Sequence, residues 1–456
     1  MVTSSEITQL TQDYNTPVPR YTSYPTAVNW SDDFDDSILI EKIKEIDSQK
    51  GLSLYVHVPF CEERCLFCGC NVIIDKRQRY VQQYIEALHN EIENKLSLVK
   101  NAEKLNLIQL HFGGGTPNYL KVEELEKVID LFSSKFDFSN IEISIELDPV
   151  FCDANYLKEL KSINFTRVSF GVQDINTKVL TAINRPQKID HISQLIASAK
   201  ELAFNSINLD FIYGLPYQTR ENFQNNIDFL LKTKPHRIAL FSYAHIPWMK
   251  RHQKQMPSNE MPSAQKKLAL FIQAREQLIQ AGYVDIGIDH FALPDDELSI
   301  AFKENILHRN FMGYTTGKDT NMLSFGPSAI SDIDGVFAQN HISIKSYLKS
   351  CDTNKSYSVK GYSRTPNNIV REKIISQIMN QNYLDITSLD VIDNDLREIL
   401  ERVKPKLENF AQQGLLTISN DGFKVSEKGR FIVRHIAFLF DESNDKQKVN
   451  QYSKAI

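Results

Sequence analysis

From Gly51 onward the chain alternates short apolar, β-prone runs with longer segments whose apolar residues recur every three to four positions. The runs Leu52 to His57, Leu107 to Phe112, Ile141 to Leu147, Arg167 to Val172, Ser206 to Ile212 and Arg237 to Tyr243 have the length and composition of strands. Between them, spacings such as Val81, Ile85, Leu88, Ile92 and Leu96, or Ile192, Leu195, Ile196 and Ala199, trace one face of an amphipathic helix. Six strand–helix units in succession predict an α/β fold with a parallel sheet and right-handed crossovers. Six units, against the eight of a complete barrel, point to a partial (β/α)6 barrel over residues 51–290.

The pattern changes at both ends. Residues 1–50 are polar and acidic and contain PVPRYTSYPT (Pro17 to Thr26), too rich in proline and β-branched residues for a helix, so an extended N-terminal arm is expected. After Asp289 the alternation fades into a loop-rich stretch with flexible points at Gly313, Gly317 and Gly326, and residues 291–364 read as a lid or pocket wall. From Thr365 helical periodicity returns and ends in LLTISNDGFKVSEKG, where Asp421-Gly422 supplies a tight turn. Residues 365–456 thus read as a mainly helical, winged-helix-like C-terminal module. Apart from the βα alternation, no repeat of fixed period and no low-complexity tract is evident.

Composition narrows the function class. The chain has 456 residues, 42% hydrophobic and 24% charged, with 52 basic against 57 acidic side chains and a formal charge of -5. A general nucleic-acid binder would carry a basic surplus or stripe, so no nucleic-acid partner is expected and the C-terminal module reads as structural or docking. No run of 18 apolar residues occurs, and the first fifteen residues lack a basic segment followed by an apolar one. Neither a membrane span nor a secretory signal is expected. Six cysteines are too few for a disulfide scaffold, and four of them crowd between positions 61 and 70, which reads as metal chemistry in a reducing cytoplasm.

That crowding is Cys61-Glu-Glu-Arg-Cys65-Leu-Phe-Cys68-Gly-Cys70, directly after the first strand, at the sheet end where parallel α/β folds bind ligands. Three readings stand: a structural zinc, which usually joins two separated pairs; buried, unliganded thiols, which suits the isolated Cys152 and Cys351; and an iron–sulfur cluster. If Cys61, Cys65 and Cys68 bind a four-iron cluster, one iron stays open to an outside ligand. Gly113, Gly114 and Gly115 follow the second strand, where glycine permits close backbone approach. The turn lacks the Lys-Ser/Thr of a P-loop and does not match G-x-G-x-x-G, so ATP and NAD have no motif here. Glu146 ends the third strand on the face opposite Ile141, Ile143 and Ile145, while Gln173, Arg185 and Asp210 lie at or just beyond strand ends. Such carboxylates can accept from an ammonium or ribose hydroxyls, and an arginine fork can take a carboxylate.

C-x3-C-x2-C in the loop after a first strand resembles the radical S-adenosylmethionine (SAM) superfamily. Together with Cys70, PRYTSYPT, HFGGGTP, EISIELDP, GVQD, LDFIYGLP, YAHIP, HRNF and GYTT, spread from about residue 18 to beyond 330, the chain resembles the oxygen-independent coproporphyrinogen III oxidases of haem biosynthesis. The resemblance implies a [4Fe-4S] cluster on Cys61, Cys65 and Cys68, which are then both metal ligands and catalytic, with SAM on the fourth iron. It implies contacts to two SAM molecules from Tyr55, Phe67, Gly113, Gly114, Gly115, Thr116, Glu146, Gln173, Arg185, Asp210, Ala244 and Ile330, with Cys70 completing the motif without binding iron. It further implies that a SAM-derived 5′-deoxyadenosyl radical takes a hydrogen from a propionate of coproporphyrinogen III. Loss of carbon dioxide and an electron then leaves a vinyl group, and a second round gives protoporphyrinogen IX. A porphyrinogen substrate, an electron donor for the cluster, a terminal electron acceptor and a monomeric state follow from the same resemblance. Arg20, Arg309 and Lys318, in the arm and the lid, are candidates for the substrate's carboxylates. The family pattern leads to glutamine before GYTT, where this chain has Met312. A haem-binding chaperone of the same superfamily is the main alternative, against which the length, the fourth cysteine and PRYTSYPT weigh. An iron–sulfur regulator that binds DNA would show salt-dependent DNA affinity, and the near-neutral charge weighs against it.

Overall fold

Leu52, Leu54, Val56 and Val58 are fully buried on one face of the first strand, and Ser53, Tyr55 and His57 alternate onto the other. The same division repeats through β1 (Gly51–Val58), β2 (Asn106–Gly114), β3 (Glu142–Leu147), β4 (Arg167–Gln173), β5 (Ser206–Tyr213) and β6 (Arg237–Ser242), which pair parallel in chain order. The computed structural model describes residues 3–47, 49–100, 102–317, 320–353, 357–389, 394–445 and 452–454. Crossover helices such as Val81–Leu98, Val122–Ser133, Ile189–Glu201 and Arg220–Thr233 lay their apolar stripes on the outer face, where Val56, Phe112, Ile145, Phe170 and Leu209 join Leu88, Leu125, Leu195 and Ile227 in one core.

The inner face is different in kind. Along β2 to β5 it presents Gln109, His111, Ser144, Glu146, Ser169, Asn208 and Asp210. A complete (β/α)8 barrel fills its interior with branched apolar side chains. Polar groups at this density do not pack into a dry core, and all of them but Gln109 border a cavity of about 850 Å³.

The sheet continues past six strands on both edges. Asn321–Phe325 pairs parallel with β1, Leu323 beside Leu54, and is followed by antiparallel Ile330–Ile333, Val336–Asn340 and Ser358–Ser363. On the other edge His290–Ala292 pairs antiparallel with β6 and Val284–Asp285 with it, making twelve strands among the described residues. The loop-rich reading of residues 291–364 is therefore corrected. All five residues of Asn321–Phe325 are buried, so the segment shows no alternation to read, and Asp334-Gly335, both at positive φ, turns the hairpin that follows it.

The N-terminal arm is corrected too: it is extended only around Pro17 to Thr26, flanked by helices Ser4–Tyr14 and Asp36–Lys44. A Thr3–Glu6 capping box starts the first and the Asp35 side chain caps the second. Leu10, Val18, Tyr21 and Tyr24 of the arm share a second core with Ile374, Ile378, Leu396 and Ile436 of the C-terminal module and with Leu268 and Ile272 of helix Ala264–Gln280. That module carries helices Pro366–Gln381 and Asn394–Gln412 and a small sheet in the order Tyr383–Asp385, Gly422–Val425, Leu416–Ser419. The hairpin turns at Asn420-Asp421, with Gly422 opening the return strand. No helix among the described residues is long and apolar enough to cross a membrane.

Candidate functional site

The cysteine loop leaves β1 at Val58 and is pinched at its base by a two-residue parallel ladder between Phe60–Cys61 and Ile73–Ile74. Cys61, Cys65, Cys68 and Cys70 all face the cavity. Cys61 Sγ lies 3.3 Å from Thr116 Oγ1, and Arg185 Nη1 donates to Cys65 Sγ at 3.7 Å. His252 Nε2 donates to the Cys68 carbonyl at 2.8 Å, and Gln253 Nε2 donates to the carbonyls of Phe67 and Ala244 at 3.2 Å each. The segment after β6 thus fixes the loop's backbone from the opposite side. Burial pushes the Cys61 thiol up to about 12, whereas a hydrogen bond with Cys70 draws Cys68 down to about 6.

Among the described residues no three His, Cys, Asp or Glu side chains converge tightly enough to hold a single ion. A zinc ion requires its donors within roughly 2.0–2.3 Å of one point. A four-iron cluster takes thiolates on separate irons, one each for Cys61, Cys65 and Cys68 with the fourth iron left open, and cysteines spread around a loop suit that arrangement. Cys152 and Cys351 are buried away from the cavity.

Glycines let β2 pass close beneath this loop. A Cβ on Gly114, at φ 117°, would stand 2.6 Å from the His57 ring, and one on Gly115 2.8 Å from the Phe60 carbonyl. The Gly114 amide donates to Glu146 Oε2 at 3.1 Å, and Glu146 Oε1 is 3.5 Å from His111 Nε2. Burial opposes the Glu146 charge, but His111 and the Gly114 amide outweigh it and hold the carboxyl below its usual range. Tyr55 stacks on His111 at 5.9 Å and its hydroxyl lies 3.0 Å from His57 Nδ1. Gln173 sits at φ 68° beside a register shift in β4, a bulge that turns its side chain to the cavity. Arg185 pairs with Asp148 Oδ2 at 2.5 Å and donates to the Gly171 carbonyl at 2.9 Å, leaving its buried Nε without a partner. Asp210 accepts from Asn208 Nδ2 at 2.8 Å and Ser169 Oγ at 3.3 Å, while burial and the Glu146 charge raise its carboxyl to about 7.

Phe67, Gly114, Gly115, Thr116, Glu146, Gln173, Arg185, Asp210 and Ala244 therefore line one cavity. Gly113 stands directly behind them, where an added Cβ would be 3.1 Å from Tyr55 and 3.2 Å from Glu146. Ile330 is not brought to the cavity wall: it opens an outer strand, its carbonyl accepting from Ser324 Oγ at 2.5 Å. Met312 does line the cavity, its amide bonded to Asn310 Oδ1 at 2.9 Å. Arg20 lines it as well and is ion-paired to the buried Asp289. Arg309 stands 3.8 Å from the same Asp289 and 5.1 Å over the Tyr314 ring, with its buried Nε and Nη1 unpartnered. Lys318 lies outside the described residues.

Sequence reasoning missed Asp148, His252, Gln253, Lys267, Asp289 and Arg434. Most of these bond to backbone carbonyls or to a single distant partner, and such bonds leave no spacing pattern. Arg434 donates to the carbonyls of Val18 and Pro19, and Lys267 Nζ to that of Tyr243 at 2.9 Å. Burial, with Arg20 and Arg434 nearby, pulls Lys267 down to about 7, and burial with Arg20 pulls Arg434 down to about 9. At this seam between arm, barrel and C-terminal module, Arg20 and Arg309 flank Asp289, with Lys267 and Arg434 near Arg20; Arg309, His290 and Arg20 hold the Asp289 carboxyl, despite its burial, far below its usual range.

Comparison with known proteins agrees with this geometry. Residues 55–230 match the radical SAM superfamily and residues 365–432 the HemN C-terminal domain. The oxygen-independent coproporphyrinogen III oxidase of Salmonella typhimurium is 38% identical over 98% of both chains, and that of Helicobacter pylori strain J99 is 35% identical over 94% of both. The solved coproporphyrinogen III oxidase of Escherichia coli, described as a radical SAM enzyme, superposes with a TM-score of 0.88 at 36% identity, covering 96% of this chain and 98% of that one. With this likeness running through barrel, arm and C-terminal module alike, the chain belongs to the oxygen-independent coproporphyrinogen III oxidase family of radical SAM enzymes.

Proposed function

We propose that the chain oxidatively decarboxylates two propionate side chains of coproporphyrinogen III to vinyl groups, giving protoporphyrinogen IX, with a [4Fe-4S] cluster on Cys61, Cys65 and Cys68 and SAM as cofactors. The observation that carries this is the meeting of the three-cysteine loop with the polar ends of β2 to β5 around one 850 Å³ cavity. The residues fit the group: soft thiolates face the space, glycines remove the side chains that would block it, and the unpartnered Arg185 Nε awaits an acceptor. Cys61, Cys65 and Cys68 would hold the cluster, which when reduced would supply the electron for cleaving SAM and so the adenosyl radical chemistry that removes hydrogen from the substrate.

The protein's part is to orient and to shield. Glu146, held ionised by His111 and the Gly114 amide, suits a SAM ammonium group, and Asp210 suits ribose hydroxyls. Arg185, braced by Asp148, offers its free edge to a SAM carboxylate. We place two SAM molecules here, with Tyr55, Phe67, Gly113, Thr116, Gln173 and Ala244 in their surroundings; Ile330 would reach them only through its neighbours. The seam of Arg20, Lys267, Arg309 and Arg434 carries more positive than negative charge, and a substrate propionate completes it as a counter-ion at Arg20. Tying substrate recognition to the arm explains why an enzyme with net charge -5 can hold a tetracarboxylate.

The test is anoxic reconstitution with iron and sulfide, then SAM, reductant, coproporphyrinogen III and a cell extract as acceptor source, with porphyrins separated after oxidation. Protoporphyrin that depends on SAM and disappears in Cys65→Ala is the expected result. Untouched coproporphyrin with an intact cluster and active SAM cleavage would overturn it, and stable haem uptake alongside would mark a carrier.

A further inference from the structure

Beyond the cavity, the segment that anchors the cysteine loop also faces outward. A turn in which the Met249 and Lys250 amides both donate to the Ile246 carbonyl at 2.9 Å is tied back by Ile246 N–H to Gln253 Oε1 at 2.6 Å. At its tip Trp248 is 60% exposed and Met249 55% exposed. A flexible tip could fold such groups away, but this one is hydrogen-bonded in place, so the indole stays in water at a standing hydrophobic cost. The same short segment supplies Lys250, whose Nζ is 3.5 Å from the Cys70 carbonyl, followed by exposed Arg251 and Lys254. On the far side of Cys70, Asn71 Nδ2 donates to the carbonyl of Ile342, itself 55% exposed. Gly69 and Cys70, which adjoin both of these contacts, are exposed. Trp, Met and Arg around a small solvent-facing centre are the residues that protein interfaces favour.

We infer that the surface formed by Trp248, Met249 and Ile342, rimmed by Lys250, Arg251 and Lys254, is the docking site for an acidic one-electron carrier protein that reduces the cluster. This rests on the cluster assignment above. The carrier is oxidised by one electron as the cluster is reduced by one, and no atom is transferred. Charge selects the partner: in a chain whose overall charge is -5, three cations on one exposed segment make a local field that attracts an acidic protein and repels a basic one. Position selects its role, because His252 and Gln253 of this segment bond directly to the backbone at Cys68 and Phe67.

The experiment compares the parent with Trp248→Ser and with the Arg251→Glu, Lys254→Glu pair, all reconstituted. SAM cleavage is driven either by a reduced flavodoxin or by dithionite, and binding of oxidised flavodoxin is followed by quenching of tryptophan fluorescence in the parent and the charge pair. The expected result is a flavodoxin-driven rate that falls about tenfold or more in each variant and falls with added salt, dithionite-driven cleavage within about twofold of the parent, and quenching lost in the charge pair. Flavodoxin-driven rates and quenching equal to the parent's overturn the site. So does a parent that runs as a dimer dissociated by Trp248→Ser without a carrier-specific loss, since the surface would then cover a second copy of the chain. Failure of dithionite-driven cleavage in the parent itself would strike the cluster assignment, while the quenching measurement would still decide the docking surface.

Discussion

Asp210 titrates near neutrality because it is buried and faces Glu146, with the bonds from Asn208 and Ser169 offsetting only part of that cost. Below about 7 its carboxyl is protonated, so SAM affinity is expected to fall as pH drops through that value, and Asp210→Asn should bind SAM weakly with a flat profile; calorimetric titration between pH 6 and 8.5 checks both. The sign for folding is the reverse: the folded state holds this proton to higher pH than the unfolded chain does. Stability from this group is therefore present near pH 4 and is lost as pH rises through about 7. At Gly115 the constraint is steric. Gly115→Ala places a Cβ 2.8 Å from the Phe60 carbonyl, so iron content after reconstitution should drop several-fold with the fold retained, as read by iron assay and circular dichroism. The cysteines and the glycine turn were legible because their chemistry lies in spacing along the chain. Gln253 and Asp289 were not, because each is defined by a partner from another element.

At the scale of elements, the six barrel strands were legible because each keeps an apolar outer face against helices, so its period survives in the sequence. Asn321–Phe325 was not, because it is buried on both faces and mixes Asn, Met, Leu, Ser and Phe. Its importance is nonetheless mechanical: it flanks β1, the strand that launches the cysteine loop. Leu323→Ala should lower stability by about 2–5 kcal/mol, measured by denaturant unfolding. The two N-terminal helices were hidden for another reason, since the prolines between them dominate the local signal while a capping box and one buried leucine suffice for the first. Besides the core it shares with the C-terminal module, the arm is clamped by Arg434, bonded to Val18 and Pro19 next to Arg20. Arg434→Gln should leave the barrel folded but expose residues 15–26 to limited proteolysis and raise KM for the porphyrinogen several-fold more than it lowers kcat.

For the whole molecule, two cores divide the labour. One closes the half-barrel, and the other joins the arm, helix Ala264–Gln280 and the C-terminal module. Leu10, Val18, Tyr21 and Tyr24 lose their partners if the module is removed, so a chain ending at residue 364 should be insoluble or bind a hydrophobic dye strongly, whereas the full chain should not. The pairing of Asn321–Phe325 with β1 and the seating of the arm on the C-terminal module were the least legible features, because each joins segments more than 250 residues apart in sequence, such as Leu54 with Leu323 and Tyr21 with Asp441. The Arg434 clamp has a consequence in time. During synthesis the arm, the barrel and its cysteine loop all emerge before the C-terminal module, and the arm beside Arg20 cannot be clamped until the residues near position 434 have left the ribosome. The wall proposed to grip substrate is thus the last part of the pocket to be built, and a half-made or truncated chain offers no finished chamber in which a radical could meet a porphyrinogen.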